Sequence, residues 1–188
     1  MIEVSADQIE RVKLILGGIP KGVPAAISNA LNRGAATARK TAASYISEHY
    51  TLKQKDARAA TKIKFRKADT GNIETTVIFA GHVIPLLKFD VRPSAPKSGA
   101  VSAAVERHGR KAMASAYVTD LGRYGPGVFE RLTSKRATSQ QLYGPSTAQM
   151  LGTANAQVEM QTQAQETIDK RLEHEIARIL AGHGGKKA

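Results

Sequence analysis

The chain has 188 residues, with 28 Lys and Arg against 16 Asp and Glu, a net charge of +12, and 41% hydrophobic but only 5% aromatic residues. That length and composition suit one domain with a modest aliphatic, Ala-rich core, or one domain carrying extended arms. Cysteine is absent, which excludes disulfides, thiolate metal sites and cysteine nucleophiles. The longest uncharged run, Ala137 to Val158, is too rich in Gln, Ser, Thr and Asn to cross a bilayer, and Met1-Ile2-Glu3 opens an acidic amphipathic pattern rather than a targeting segment, so the chain reads as soluble.

The first helix starts at a capping box, Ser5 with Gln8, flanked by Val4 and Ile9 as a hydrophobic staple. Ile9, Val12, Leu14 and Leu16 form its apolar side, and Gly17-Gly18 ends it. After Pro20 and Pro24, apolar residues recur every three or four positions at Ile27, Leu31, Ala35, Ala38, Ala42, Tyr45 and Ile46, which predicts a long helix with one buried stripe. Arg33, Arg39 and Lys40 fall off that stripe and give the helix a basic side. Thr51 to Gln54 has the composition of a cap for a brief third helix through Ala60.

The period then changes to two. Residues 62–66 and part of 73–79 alternate around Asp69-Thr70-Gly71-Asn72, which has hairpin-turn composition. His82 to Phe89 is apolar with Pro85 inside it, which belongs at a strand end or sheet edge. Arg92 to Gly99 reads as a loop able to move. Val101 to Val105 and Tyr117-Val118 are weaker strands about a basic turn, Arg107 to Lys111. Gly122, Gly125, Pro126 and Gly127 make another loop before a short strand, Val128 to Leu132.

Ser146 and Gln149 form a second capping box, which predicts a helix from Thr147 toward Ala181 with Leu151, Ala154, Val158, Ile168, Leu172, Ile176 and Ile179 along one side. Its middle is polar all round. Glu166 with Lys170 and Arg171 with Glu175 are spaced for i,i+4 ion pairs, but a helix with so thin a stripe calls for packing against the domain or a neighbouring subunit. The chain therefore divides into a short helical arm (1–23), an α+β core (24–146), a C-terminal helix (147–181) and a flexible tail (182–188). The fold class is α+β: a small antiparallel sheet with a long N-terminal helix and a long C-terminal helix.

Charge is segregated along the chain. Residues 33–67 carry ten Lys or Arg against two acids and residues 88–136 carry ten against four, whereas 1–32 and 137–188 each balance. An anionic partner for the middle is one reading, and a solvated basic face is the other. Phosphate contacts need only cations within reach, and Lys53, Lys55, Arg58, Lys62, Lys64, Arg66 and Lys67 supply a dense run. Tyr45, Tyr50 and Phe65 make no evident stacking platform and no helix-turn-helix or zinc signature occurs, so any nucleic-acid binding is electrostatic and non-specific.

Catalytic signatures fail one by one. The capping box accounts for Ser146, and neither a Gly-x-Ser-x-Gly elbow nor a Ser-x-x-Lys surrounds it. His49, His82, His108, His174 and His183 stand in five separate contexts, and Arg178 occupies the place of the second histidine that would make His174-Glu175 a zinc-protease helix. The Gly122, Gly125 and Gly127 loop lacks the following Lys-Ser/Thr of a phosphate loop. Asp90, Glu106, Asp120 and Glu130 each have a cation nearby, which suits ion pairs better than acid–base work. No catalytic, metal or cofactor-binding residue is assigned.

Taken in order, the Ala-rich second helix ending in Tyr45 to Tyr50, the block TLKQKDARAATKIKFRKA, then IPLLKF at 84–89, GVFERL at 127–132 and LYGPSTAQM at 142–150 resemble the prophage minor tail protein Z family, across roughly Pro24 to Met150. Phe129, Arg131, Gly144, Pro145, Ser146 and Gln149 are the residues of the latter two motifs that stand out. The resemblance implies a non-enzymatic structural component of a bacteriophage tail, acting in tail completion and head–tail joining. It further implies a homo-oligomeric ring, neighbouring tail or neck proteins as partners, and a place in the virion tail after assembly in the host cytoplasm. The alternative is a free, non-specific nucleic-acid-binding protein using the basic middle.

Overall fold

Helical periodicity becomes five α-helices, and the alternating middle becomes small sheets, in a computed structural model that describes residues 4, 6–96, 100–122, 125–133 and 138–183. Three expected features lie wholly or partly outside the described residues: the Ser5 cap, the Lys97-Ser98-Gly99 end of the 92–99 loop, and the tail from residue 184. The helices are α1 (Ala6–Leu16), α2 (Gly22–His49), α3 (Gln54–Ala60), α4 (Thr147–Leu151) and α5 (Ala154–Arg178). A π turn, Ile179–His183, follows α5, and Gly182 takes φ 79° within it. The chain is α+β, with a long N-terminal and a long C-terminal helix about small antiparallel sheets.

It divides into two units, residues 1–42 with 63–78 and 154–188, and residues 43–62 with 79–153. In the first unit the stripe of α2 does what its spacing predicts. Ile27 and Leu31 are buried with Val12 and Leu16 of α1 and with Ile168, Leu172 and Ile176 of α5 in one core. Val4 and Ile9, the staple residues, pack against it. Gly34 stands where α2 meets α5: a Cβ there would overlap the Ile168 side chain, so this contact requires glycine despite its cost within a helix. Polar clamps hold α1 on α5, with Gln8 donating to Asp169 at 2.9 Å and Arg11 forked onto Glu173 at 2.6 and 3.0 Å.

Three apolar positions turn out differently from their spacing. Leu14 is 87% exposed, because Val12 and Leu16 already take the buried side of α1. On α5, Ala154 and Val158 face solvent, while Ala156 and Ala164 are fully buried. Small residues carry the buried stripe through the Gln-rich half, and they give little hydrophobic signal in sequence.

The second unit is built of short antiparallel strands. Strand β4 (Asp90–Arg92), β5 (Val101–Ala104) and β6 (Arg110–Met113) form one sheet, and β7 (Ala116–Asp120), β8 (Pro126–Arg131) and β9 (Ser139–Gln141) a second. Register places Val91 opposite Ala103, Tyr117 opposite Phe129, and Phe129 opposite Gln141. A two-residue ladder joins β3 (Ile84–Pro85) to β10 (Tyr143–Gly144), with Ile84 opposite Gly144. The proline-bearing segment is therefore an edge ladder, as its composition predicts. β4, β9 and β10 had no alternating signal, being three residues or fewer.

The remaining pair, β1 (Thr61–Arg66) and β2 (Thr76–Gly81), forms a two-stranded sheet. Its turn is pinned by Asp69, whose carboxylate accepts from the N–H groups of Gly71 at 2.7 Å and Asn72 at 2.9 Å, an Asx-type turn. Thr51 does not cap α3. Its hydroxyl instead donates to the Ala104 carbonyl at 2.5 Å and accepts from the Asp90 N–H at 3.1 Å, tying the chain before α3 to the β4–β5 sheet.

Candidate functional site: the capped turn and the basic surfaces

Ser146 is a helix cap. Its hydroxyl accepts from the Gln149 N–H at 3.2 Å, and the Gln149 side chain accepts from the Ser146 N–H at 2.8 Å, closing the box at the start of α4. Both Ser146 and Thr147 are buried, so no reactive hydroxyl is presented. Gly144 precedes the turn because a Cβ there would meet the Phe89 ring at 2.5 Å. The expected single helix from 147 to 181 is two helices: Gly152 closes α4 with its N–H on the carbonyls of Ala148 and Gln149, and α5 restarts at Ala154. In the GVFERL segment, Phe129 is buried beside Tyr117, with ring centres 6.3 Å apart, and Arg131 lies over the same tyrosine at 5.6 Å.

Of the basic run, Lys53, Lys55, Lys62, Lys64, Arg66 and Lys67 are exposed. Lys53 and Lys55 flank the start of α3, and Lys62, Lys64 and Arg66 alternate along β1, with Lys67 just beyond it. Arg58 lies on α3, and its side chain is outside the described residues. Lys53, Lys55, Arg58 and Lys62 belong to the second unit and Lys64, Arg66 and Lys67 to the first.

A denser cationic site forms inside the first unit, around a carboxylate. Glu175 is fully buried, and Arg171 lies 2.6 Å from one of its oxygens. Arg178 forks onto the other at 2.7 and 3.0 Å, and Asn29 of α2 donates to that same oxygen at 3.0 Å. Burial pushes the Glu175 carboxyl up, but the bonds from Arg178 and Asn29 and the charges of Arg171 and Arg178 outweigh it and hold it below its ordinary value. The i,i+4 pair foreseen for Arg171 and Glu175 is thus present, while Glu166 and Lys170 are not within ion-pair distance among the described residues.

The sequence model of prophage minor tail protein Z matches residues 15–182. The chain belongs to the prophage minor tail protein Z family. It is accordingly a structural phage tail protein of the virion tail. Comparison with curated proteins and with solved structures found no match. Among the described residues, no helix is long and apolar enough to cross a membrane, and no group of three or more His, Asp or Glu could hold a metal ion.

Within this minor tail protein, sequence reading found Lys67 but missed that it shares a groove with Arg33, Arg39, Arg171 and Arg178. Residues 137–188 are neutral in sum, which hid two arginines drawn to one end of α5. The legible signal was Arg171, Glu175 and Arg178 at steps of four and three, on the same helix face as Ile168 and Leu172.

Proposed function

We propose that this minor tail protein completes the tail and takes part in joining it to the head, assembling with copies of itself as a ring against neighbouring tail or neck proteins. The observation that carries the reading is the family match across residues 15–182. Two features support it: exposed apolar side chains at Leu14, Ile78, Val158 and Leu180 are available for subunit contacts, and the exposed lysines of β1 offer a basic edge to an acidic ring of a neighbouring protein.

The decisive experiment is mass spectrometry of purified particles beside electron microscopy of particles made without the protein. Low-copy presence, with free heads beside unjoined or defective tails when it is missing, is the expected result. Normal joined particles lacking it would overturn the reading. At residue level, changing Lys62, Lys64, Arg66 and Lys67 together to Glu leaves the fold intact, since all four are exposed, and lowers the yield of joined particles. Unchanged infectivity would remove the basic edge from the account.

A further inference from the structure

The five cations of the first-unit groove come from three separated stretches of chain: Arg33 and Arg39 from α2, Lys67 from just beyond β1, and Arg171 and Arg178 from α5. The groove is open and holds about 670 Å³. Set against one carboxylate, Glu175, the five cations leave a net charge of four positive.

What distinguishes it from a scatter of surface cations is that most of them are held in place. Glu175 fixes Arg171 and Arg178 from beneath. Arg39 lies over the Phe65 ring at 5.4 Å from its centre. Asn32 makes a two-way bond with the backbone of Ala68, donating to its carbonyl at 2.8 Å and accepting from its N–H at 2.9 Å, which anchors the residue next to Lys67. Among the described residues no acid lies within ion-pair distance of Arg33, Arg39 or Lys67. Cations positioned before binding lose less freedom on capturing an anion.

From this geometry we infer that the first-unit groove binds the phosphodiester backbone of nucleic acid, through Arg33, Arg39, Lys67, Arg171 and Arg178 and without reading bases. Four of the five are guanidinium groups, whose planar fork matches phosphate oxygens in pairs. An acidic protein partner would call for an apolar anchor inside the charged rim. The groove offers Ala36 and the half-buried Phe65, already covered by Arg39. The site is distinct from the run at residues 53–67, sharing Lys67 alone, and it does not rest on the head–tail joining role.

The test uses the full purified chain and a labelled random-sequence DNA duplex of about two turns, followed by anisotropy between about 50 and 200 mM salt, a range wide enough to give the log–log slope of phosphate-driven binding. Arg33→Ala, Arg39→Ala and Lys67→Ala are combined in one variant. A second combines Lys53→Ala, Lys55→Ala and Lys62→Ala, which removes the same charge outside the groove. The groove variant is expected to bind about tenfold or more weakly near 0.1 M salt, with the log–log salt slope flatter by about three, one for each phosphate contact removed. The second variant should change affinity less than about threefold.

A charge-preserving variant, Arg33→Lys with Arg39→Lys and Lys67→Arg, should retain most of the binding. Circular dichroism and melting are used to check that all three variants fold. An RNA duplex of equal length identifies which nucleic acid is preferred, and comparable groove-dependent binding of both confirms recognition of the shared backbone. Equal losses from the two alanine variants would reduce the effect to net charge and overturn the site. So would polyglutamate binding that depends on the groove while DNA binding does not. Particle-joining experiments are read separately, so either conclusion can fail without the other.

Discussion

Glu175 orients two guanidinium groups with a carboxylate that never meets solvent. Removing one member of a buried pair leaves the others without a counter-charge, which typically costs about 3–5 kcal/mol. Arg171 and Arg178 are each about a third exposed, so solvent screens part of that loss, and Glu175→Gln is expected to destabilise the protein by about 2 kcal/mol. The pH dependence follows from the depressed acidity. A carboxyl whose folded value lies below its unfolded value of about 4.3 contributes stability that is complete above that value and lost as pH falls through the folded one. Denaturant midpoints of the wild type should therefore fall below about pH 4.3, with a shallower fall in Glu175→Gln. Asp90 and Asp69 are also held low, by Arg110 and by backbone N–H groups respectively, and they account for the acid sensitivity the variant retains. Identical slopes in the two proteins would show that Glu175 does not ionise differently on folding.

At the scale of elements, α2 and α5 meet through glycine and alanine as much as through large side chains. In Gly34→Val, overpacking against Ile168 costs about 1–3 kcal/mol, while replacing a helical glycine returns under about 1 kcal/mol because valine is a poor helix former. The clash wins, and a net loss of about 1–2 kcal/mol is expected in thermal or chemical melts. Gly34→Val combined with Ile168→Ala should cost less than the sum of the two single losses, because one substitution makes the room the other needs. Additive losses would mean that the helices shift apart instead. Ser146→Ala removes the cap of α4 and should cost about 1 kcal/mol, with Ser146→Asp closer to the wild type. These elements were legible to different degrees, for physical reasons. The capping box at Ser146 and the stripe of α2 are local patterns and were read directly. The buried side of α5 at Ala156 and Ala164 was not, since alanine marks neither a buried nor an exposed face. Nor were β4, β9 and β10, whose two or three residues pair because of what lies opposite and not because of their own alternation.

For the whole molecule the separation along the chain matters more than any single segment. The sequence showed where charge is concentrated, and the family resemblance rested on motifs within residues 24–150. The groove needed residues near 33, 67 and 175 to meet, and a tally along the chain cannot show that. The same interleaving governs stability. The first-unit core draws on α1, α2 and α5, so a chain ended after Thr153 loses Ile168, Leu172 and Ile176 and leaves Val12, Leu16, Ile27 and Leu31 without their partners. At about 1.5–3 kcal/mol for each large aliphatic side chain returned to water, that loss is comparable with the whole stability of a typical domain, about 5–15 kcal/mol. Residues 79–153, by contrast, keep both three-stranded sheets and the capped turn. Hydrogen exchange on a 1–153 chain is therefore expected to show fast exchange throughout α1 and the first half of α2, with protection kept in β5, β7 and β8. Protection lost everywhere would mean that the two units unfold together, and protection kept in α1 would mean that its core forms without α5.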